Sequence, residues 1–357
     1  MHNKRSLEID RIRAFCVILV LLTHFSPYFF SGDGIFRVIR NITALGSFGV
    51  TGFFVVSGYL LSAILLRENK NNNSNILLRY YTRRILRIWP LYYATFLAVN
   101  LLSLLFKIKQ NNIKSILTLT YNWTAYKNQN NILGHFWSMC AEEQFYAFLP
   151  FLIFIRNLKI RQYLLVAFIV VSPVFRLFIS HNLPYPAVWN FTVSHLDAFC
   201  SGTFLAILQS DQSSFKLYKI FGNRKRNHYK SLLVSVSFIY VIFSAISPKI
   251  IFESMWSSLT YFGVSLFFCI SIYDASQNPK KVLSFFERSM SWIGQRTYGI
   301  YVFHWIVNVY FRQFIGSNYF VNFLIGVIAV FLTILFSAIS FNYFEKPFLT
   351  LKKKFEK

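Results

Sequence analysis

The first place where this sequence could do chemistry is a histidine eleven residues beyond an arginine, in an otherwise apolar stretch. In "EIDRIRAFCVILVLLTHFSPYFF" (residues 8–30), Arg13 is the last charge before nine apolar residues, a threonine and His24. Imidazole takes up and returns a proton near neutral pH, so His24 is a candidate general base. The competing reading is a structural histidine bonded to a neighbouring helix, and position at mid-membrane favours the functional one. "RYYTRRILRIWPLYY" (79–93) sets Arg83, Arg84 and Arg87 at i, i+1 and i+4, and Arg87 shares a helix face with each of the other two. Paired guanidinium groups match phosphate oxygens, so the cluster reads either as a phosphate clamp or as an ordinary basic helix end with aromatic anchors. "GHFWSMCAEEQFYAFLP" (134–150) carries Glu142 and Glu143, adjacent carboxylates in a chain with 13 acidic residues. At 3.6 residues per turn, neighbours on a helix point about 100° apart, so the two are not expected to serve one site. One would orient or charge-balance a histidine, or bind a sugar hydroxyl; the other would pair or meet solvent.

Weaker signals lie elsewhere. "FGVTGFFVVSGYLLS" (48–62) spaces Gly49, Gly52 and Gly58 along an aromatic helix, a pattern for close helix packing or for ligand room, with Ser57 and Tyr59 as hydroxyl-bearing pocket candidates. "SHLDAFCSG" (194–202) places Asp197 in a span, where an unpaired carboxylate is costly. "TYGIYVFHWIV" (297–307) puts Tyr298, Tyr301 and His304 three residues apart, so that they drift slowly round one face as a pocket lining or as packing. In "FNYFEKPF" (341–348), Glu345 is placed to pair with a basic neighbour. Cys16, Cys140, Cys200 and Cys269 lie in or beside apolar runs without metal or disulfide spacing, and read as small buried hydrophobes. No metal-ligand set is assigned.

The elements that must position these groups are membrane helices. The 357 residues are 55% hydrophobic, 20% aromatic and 14% charged, where a soluble domain carries about 25% charged residues. The net charge of +24 would suggest nucleic acid in a soluble protein. Here it marks loops beside anionic lipid head groups, and no nucleic-acid partner is expected. The fold class is an all-α polytopic membrane protein of about ten transmembrane helices, near 14–30, 47–66, 88–106, 139–155, 162–179, 192–209, 232–247, 255–273, 297–314 and 320–344. The first run reads as a transmembrane signal anchor, because no small-residue cleavage site follows it. The asparagine-rich 68–75 reads as a loop, and 107–136 and 210–231 are too short to form a core. Residues 1–357 are therefore expected to form one transmembrane domain. An even span count puts both termini on one side. If that side is cytoplasmic, 28 of the 37 lysines and arginines fall in cytoplasmic segments, an asymmetry of the positive-inside sign. Arg13 then sits at the cytoplasmic mouth, and His24 lies about 16 Å further along the axis, at mid-depth in a core about 30 Å thick.

Together these segments resemble the acyltransferase-3 family of integral membrane acyltransferases, chiefly bacterial O-acetyltransferases of surface carbohydrates. The resemblance rests on Arg13 and His24 in "IDRIRAFCVILVLLTHF", on the glycine- and aromatic-rich 48–62, and on Arg84 and Arg87 in "RRILRIWPLYY". It rests further on "FWSMCAEEQFYAFLP", "TYGIYVFHWIV" and "FNYFEKPF", all in family order from Asp10 to about Pro347. Members often carry an arginine two residues before the acid of the sixth span; here that residue is His195. The hydrolase-like domain that follows the membrane part in some members is not expected. The resemblance implies transfer of an acyl group, usually acetyl, from cytoplasmic acetyl-CoA to a hydroxyl of a glycan such as O-antigen, capsule or exopolysaccharide, the acceptor being lipid-linked or extracytoplasmic. It implies residence in the bacterial inner membrane and no permanently bound cofactor. It further implies His24 as base, Glu142 orienting or balancing it, Arg13 at the mouth, and Arg84, Arg87 and Arg83 toward the donor phosphates. Glu143, Ser57, Tyr59, Asp197, Tyr298, Tyr301 and His304 are further pocket candidates. A secondary transporter, or a silent scaffold of polysaccharide assembly, shares the composition but not the ordered motifs.

Overall fold

The computed structural model describes residues 7–70, 75–105, 112–127, 132–183, 187–210, 255–277 and 284–355. The expected span at 232–247 lies outside them, as does almost all of 210–231. Among the described residues the regular elements are helical. In chain order they are α1 (Leu7–Phe29), α2 (Ile35–Thr43), α3 (Gly46–Lys70), α4 (Ile76–Leu105), α5 (Ile113–Leu117), α6 (Phe136–Ile153), α7 (Leu158–Asn182), α8 (Ala187–Asn190) and α9 (Leu196–Ser210). After the undescribed stretch come α10 (Met255–Gln277), α11 (Phe285–Gln295), α12 (Thr297–Arg312), α13 (Tyr319–Ile339), a π-turn at Ser340–Glu345 and α14 (Lys346–Lys353).

Among the described residues, five helical stretches are long and apolar enough to cross a membrane: Leu7–Phe29, Ile35–Lys70, Ile76–Leu105, Leu158–Asn182 and Tyr319–Lys353. They contain most or all of the expected spans 14–30, 47–66, 88–106, 162–179 and 320–344. The expected spans 139–155, 192–209, 255–273 and 297–314 fall on α6, α9, α10 and α12, which are not among the five. The count of ten is therefore not established. At 15 and 16 residues, α9 and α12 are shorter than the ~20 that a bilayer crossing needs.

The packing is inside-out relative to a water-soluble bundle. Helix α13 buries Asn322, Gly326, Ala329, Thr333 and Ser337 at steps of three or four, and turns Phe320, Phe323, Val327, Phe331 and Leu335 outward. Helix α7 does the same: Leu165, Ser172, Arg176 and Ile179 face in, while Val166, Val170, Val174 and Phe178 are exposed. An apolar outer surface of this extent would drive aggregation in water, and it suits lipid. Small residues let backbones meet. A Cβ on Gly58 would collide with the carbonyl oxygen of Phe199, and one on Gly202 with that of Val55, so α3 and α9 touch backbone to backbone at reciprocal glycines.

Ion pairs fix the remaining geometry. Arg176 of α7 is 1% exposed and donates to Asp197 Oδ2 of α9 at 2.7 Å, while Ser172 donates to Oδ1 at 3.1 Å. The arginine that the resemblance places beside this acid in sequence thus comes here from a neighbouring helix. His195 instead reaches the Trp189 carbonyl at 2.8 Å and stacks on Trp137. The start of α1 is tied to α11 by Arg11, which pairs with both Glu287 and Glu8. The four cysteines are free thiols.

Candidate active site

A cavity of about 190 Å³ lies among α1, α3, α4, α6, α12 and α14. Arg13 of α1, Arg84 and Arg87 of α4 and Lys352 of α14 supply four cationic side chains. Arg84 and Arg87 reach it together because i and i+3 share a helix face. In the same wall, Ser57 donates to Glu142 Oε1 at 3.1 Å and accepts from the Tyr146 hydroxyl at 2.9 Å, so a carboxylate is held there by a hydroxyl chain. The lining also includes Tyr301 and Ser138, whose hydroxyl oxygens are 2.6 Å apart. Ser138 also donates to the His135 carbonyl, which leaves Tyr301 as the donor in that short bond. Apolar side chains such as Val50, Phe53 and Leu60 complete the lining.

Behind Tyr301 three histidines meet. His304 is fully buried, and its ring centroid lies 5.1 Å from that of Tyr301, 5.2 Å from that of His24 and 5.5 Å from that of His135. Trp305 stands edge-on to His24 at 4.9 Å. Helix register explains the meeting. The Tyr28 hydroxyl of α1 donates to the backbone oxygen and to Oδ1 of Asn308 on α12, at 2.9 and 3.1 Å. One turn back along each helix from that tie stand His24 and His304, so two parallel helices locked at Tyr28–Asn308 bring the rings together. The rings pack against one another; among the described residues no group of three or more His, Cys, Asp or Glu side chains is arranged to hold a metal ion.

The sequence-derived candidates therefore divide. Arg13, Arg84, Arg87, Ser57, Glu142, Tyr298 and Tyr301 line the one cavity, and His24 and His304 stand behind its Tyr301 wall. Arg83 is placed elsewhere: it is buried, pairs with Glu68 at 2.5 Å and donates to the Phe355 carbonyl, strapping the C-terminal segment to α4. The helical turn sends Glu143 away from Glu142, to accept from Trp89 Nε1 at 2.9 Å. Tyr59 donates to Gln209, and Asp197 belongs to the Arg176 pair. The Tyr298 hydroxyl, although on the cavity wall, is taken by the Ile88 carbonyl at 2.7 Å. Glu345 accepts from Ser340 at 3.1 Å. Sequence reasoning did not single out Tyr146, Ser138, His135, Arg176 or Lys352. Tyr146 and Ser138 stand one turn to either side of Glu142 and share its face, the one local signal available for them. The others reach their places only through tertiary packing.

Comparison with known proteins gives one consistent direction. The family described as "Acyltransferase domain" matches residues 6–341. A candidate O-acetyltransferase of Staphylococcus aureus strain COL is 28% identical over 95% of this chain and 56% of its own length. O-acetyltransferase OatA of Staphylococcus aureus strain NCTC 8325 is 26% identical over 97% of this chain and 58% of its own. The chain thus spans a little over half the length of the curated relatives it matches. No solved structure gives a significant match.

Proposed function

Since the chain belongs to the acyltransferase domain family, matched over residues 6–341, we propose that it moves an acyl group, acetyl in the first instance, from cytoplasmic acyl-CoA to a hydroxyl of a cell-surface carbohydrate. O-antigen, capsule and exopolysaccharide, in lipid-linked form, are acceptors of this kind. The names of the relatives support transfer of acetyl to oxygen. The observation that carries the proposal is a cavity lined by Arg13, Arg84, Arg87 and Lys352 together with Glu142 and Tyr301. Coenzyme A has the matching shape: phosphates for the guanidinium end, a thin pantetheine arm for the apolar length, and a thioester at the far end.

In this scheme both termini face the cytoplasm and the bilayer is the bacterial inner membrane, as the distribution of lysine and arginine supports. Arg84 and Arg87 clamp donor phosphate, and Arg13 and Lys352 add charge at the mouth. His24 removes the proton of the acceptor hydroxyl as its oxygen attacks the thioester carbonyl; the C–O bond forms, the C–S bond breaks, and the proton finishes on the coenzyme A sulfur. Glu142, held by Ser57, balances positive charge in the passage as it grows at His24.

The arginine clamp is tested by donor truncation. Replacing Arg84 and Arg87 together by alanine is expected to raise KM for acetyl-CoA by about 10- to 100-fold per lost charged hydrogen bond. KM for S-acetylpantetheine, which lacks the nucleotide phosphates, is expected to stay unchanged. Equal losses with both donors, or a loss confined to the acceptor, would overturn the clamp.

A further inference from the structure

We propose that His304 sets the tautomer and aim of His24, so that two histidines form the basic unit of the site; this rests on the assignment of His24 as base. His304 Nδ1 lies 2.6 Å from the carbonyl oxygen of Tyr301, one turn earlier on the same helix. A carbonyl oxygen only accepts, so Nδ1 carries the hydrogen, and Nε2 is left with its lone pair. That Nε2 is buried and has no hydrogen-bond partner among the described residues, on a residue with no exposed surface. A buried acceptor without a donor is costly and is a common mark of a site that completes itself with substrate bound.

The neighbours of His304 decide what the donor is. His24, His135 and Tyr301 pack on its ring. The Tyr301 hydroxyl is committed to Ser138 at 2.6 Å. His24 stands on the parallel helix in the register fixed by Tyr28 and Asn308, and Trp305 closes its flank. The two rings lie 5.2 Å apart at 40°, and in the proposed unit His24 turns one N–H toward His304 Nε2 and keeps its second nitrogen as a bare base. Catalytic hydrogen bonds are often longer in the empty enzyme and tighten on substrate. His304 then does for His24 what a carboxylate does for the histidine of a hydrolase triad: it holds the ring and accepts the N–H that strengthens as His24 becomes imidazolium. The first link, from His304 Nδ1 to the Tyr301 carbonyl, has one allowed direction of donation; of the two rings left to donate to Nε2, His24 is the nearer, at 5.2 Å against 5.5 Å for His135.

The test uses the full-length protein in membranes, with labelled acetyl-CoA and the native glycan acceptor. His304→Leu is expected to lower kcat by about 10- to 100-fold, the usual cost of losing an orienting partner, with KM for acetyl-CoA unchanged. His304→Gln, which offers Oε1 where Nε2 stood, is expected to restore most of that turnover. In a His24→Ala background, His304→Leu is expected to add no further loss. Full turnover in His304→Leu overturns the proposal, and so does a glutamine variant as slow as the leucine one at equal protein and equal KM. If His24→Ala itself transfers at the normal rate, the base assignment fails, which is a different result from failure of the His304 variants alone.

Discussion

Membranes carrying His24→Ala are expected to contain normal amounts of the protein and to lose acyl transfer by a factor of about 10² to 10⁴, the range that a positioned acid–base group supplies. Two features separate the chemical loss from a folding loss. His24 sits inside α1 on a partly exposed face, and alanine there is the best helix former. Its described contacts are ring packing on His304 and Trp305, while the tie that registers α1 against α12 is made by Tyr28. Removing the imidazole therefore leaves the helix pair locked. Quantitative immunoblotting of the membrane fraction beside label transfer checks both halves, and transfer at the wild-type rate would remove His24 from the mechanism.

The second large effect is on stability. Replacing Arg176 by methionine is expected to destabilise the protein by about 3–5 kcal/mol, because it strands the Asp197 carboxylate in a site that is 1% exposed. Arg176 also donates to Ser172 and to the Ser194 carbonyl, so its removal opens a network spanning α7, α9 and the turn between them. Combining Arg176→Met with Asp197→Asn removes the stranded charge and is expected to recover much of the loss. Thermal unfolding in detergent, followed by the loss of the monodisperse gel-filtration peak, reads both variants. An Arg176→Met protein as heat-stable as the parent would show that the pair contributes little.

The two outcomes reflect what the sequence could disclose. The membrane class was legible because composition alone excludes a water-facing surface, and the polar inner stripes of α7 and α13 are its local expression. Individual spans were less legible. Helices such as α12 are shorter than a bilayer crossing and are held by neighbours as well as by lipid, so an apolar window overstates their certainty. At the site, Arg84 and Arg87 were legible as a pair on one face. Arg83 fits the same i, i+4 rule with Arg87, yet it is drawn off by Glu68, a residue fifteen positions away on another helix. No spacing rule contains that partner. His135 and Lys352 were silent for the same reason: one enters at the head of α6 and the other on a helix that folds back against α4. The Arg176–Asp197 pair shows the converse, since a buried acid predicts that a partner exists without saying which helix supplies it.

In the proposed reaction one protein joins a cytoplasmic donor, held at Arg84 and Arg87, to a glycan hydroxyl deprotonated by His24. Its most direct test is sealed inside-out membrane vesicles containing the native glycan acceptor, supplied with acetyl-CoA labelled in the acetyl group. Label is expected to accumulate on the glycan as a base-labile ester with release of free coenzyme A, and His24→Ala vesicles are expected to show neither. Label that crosses the membrane without release of coenzyme A, or ester formed equally in vesicles lacking the protein, would contradict it.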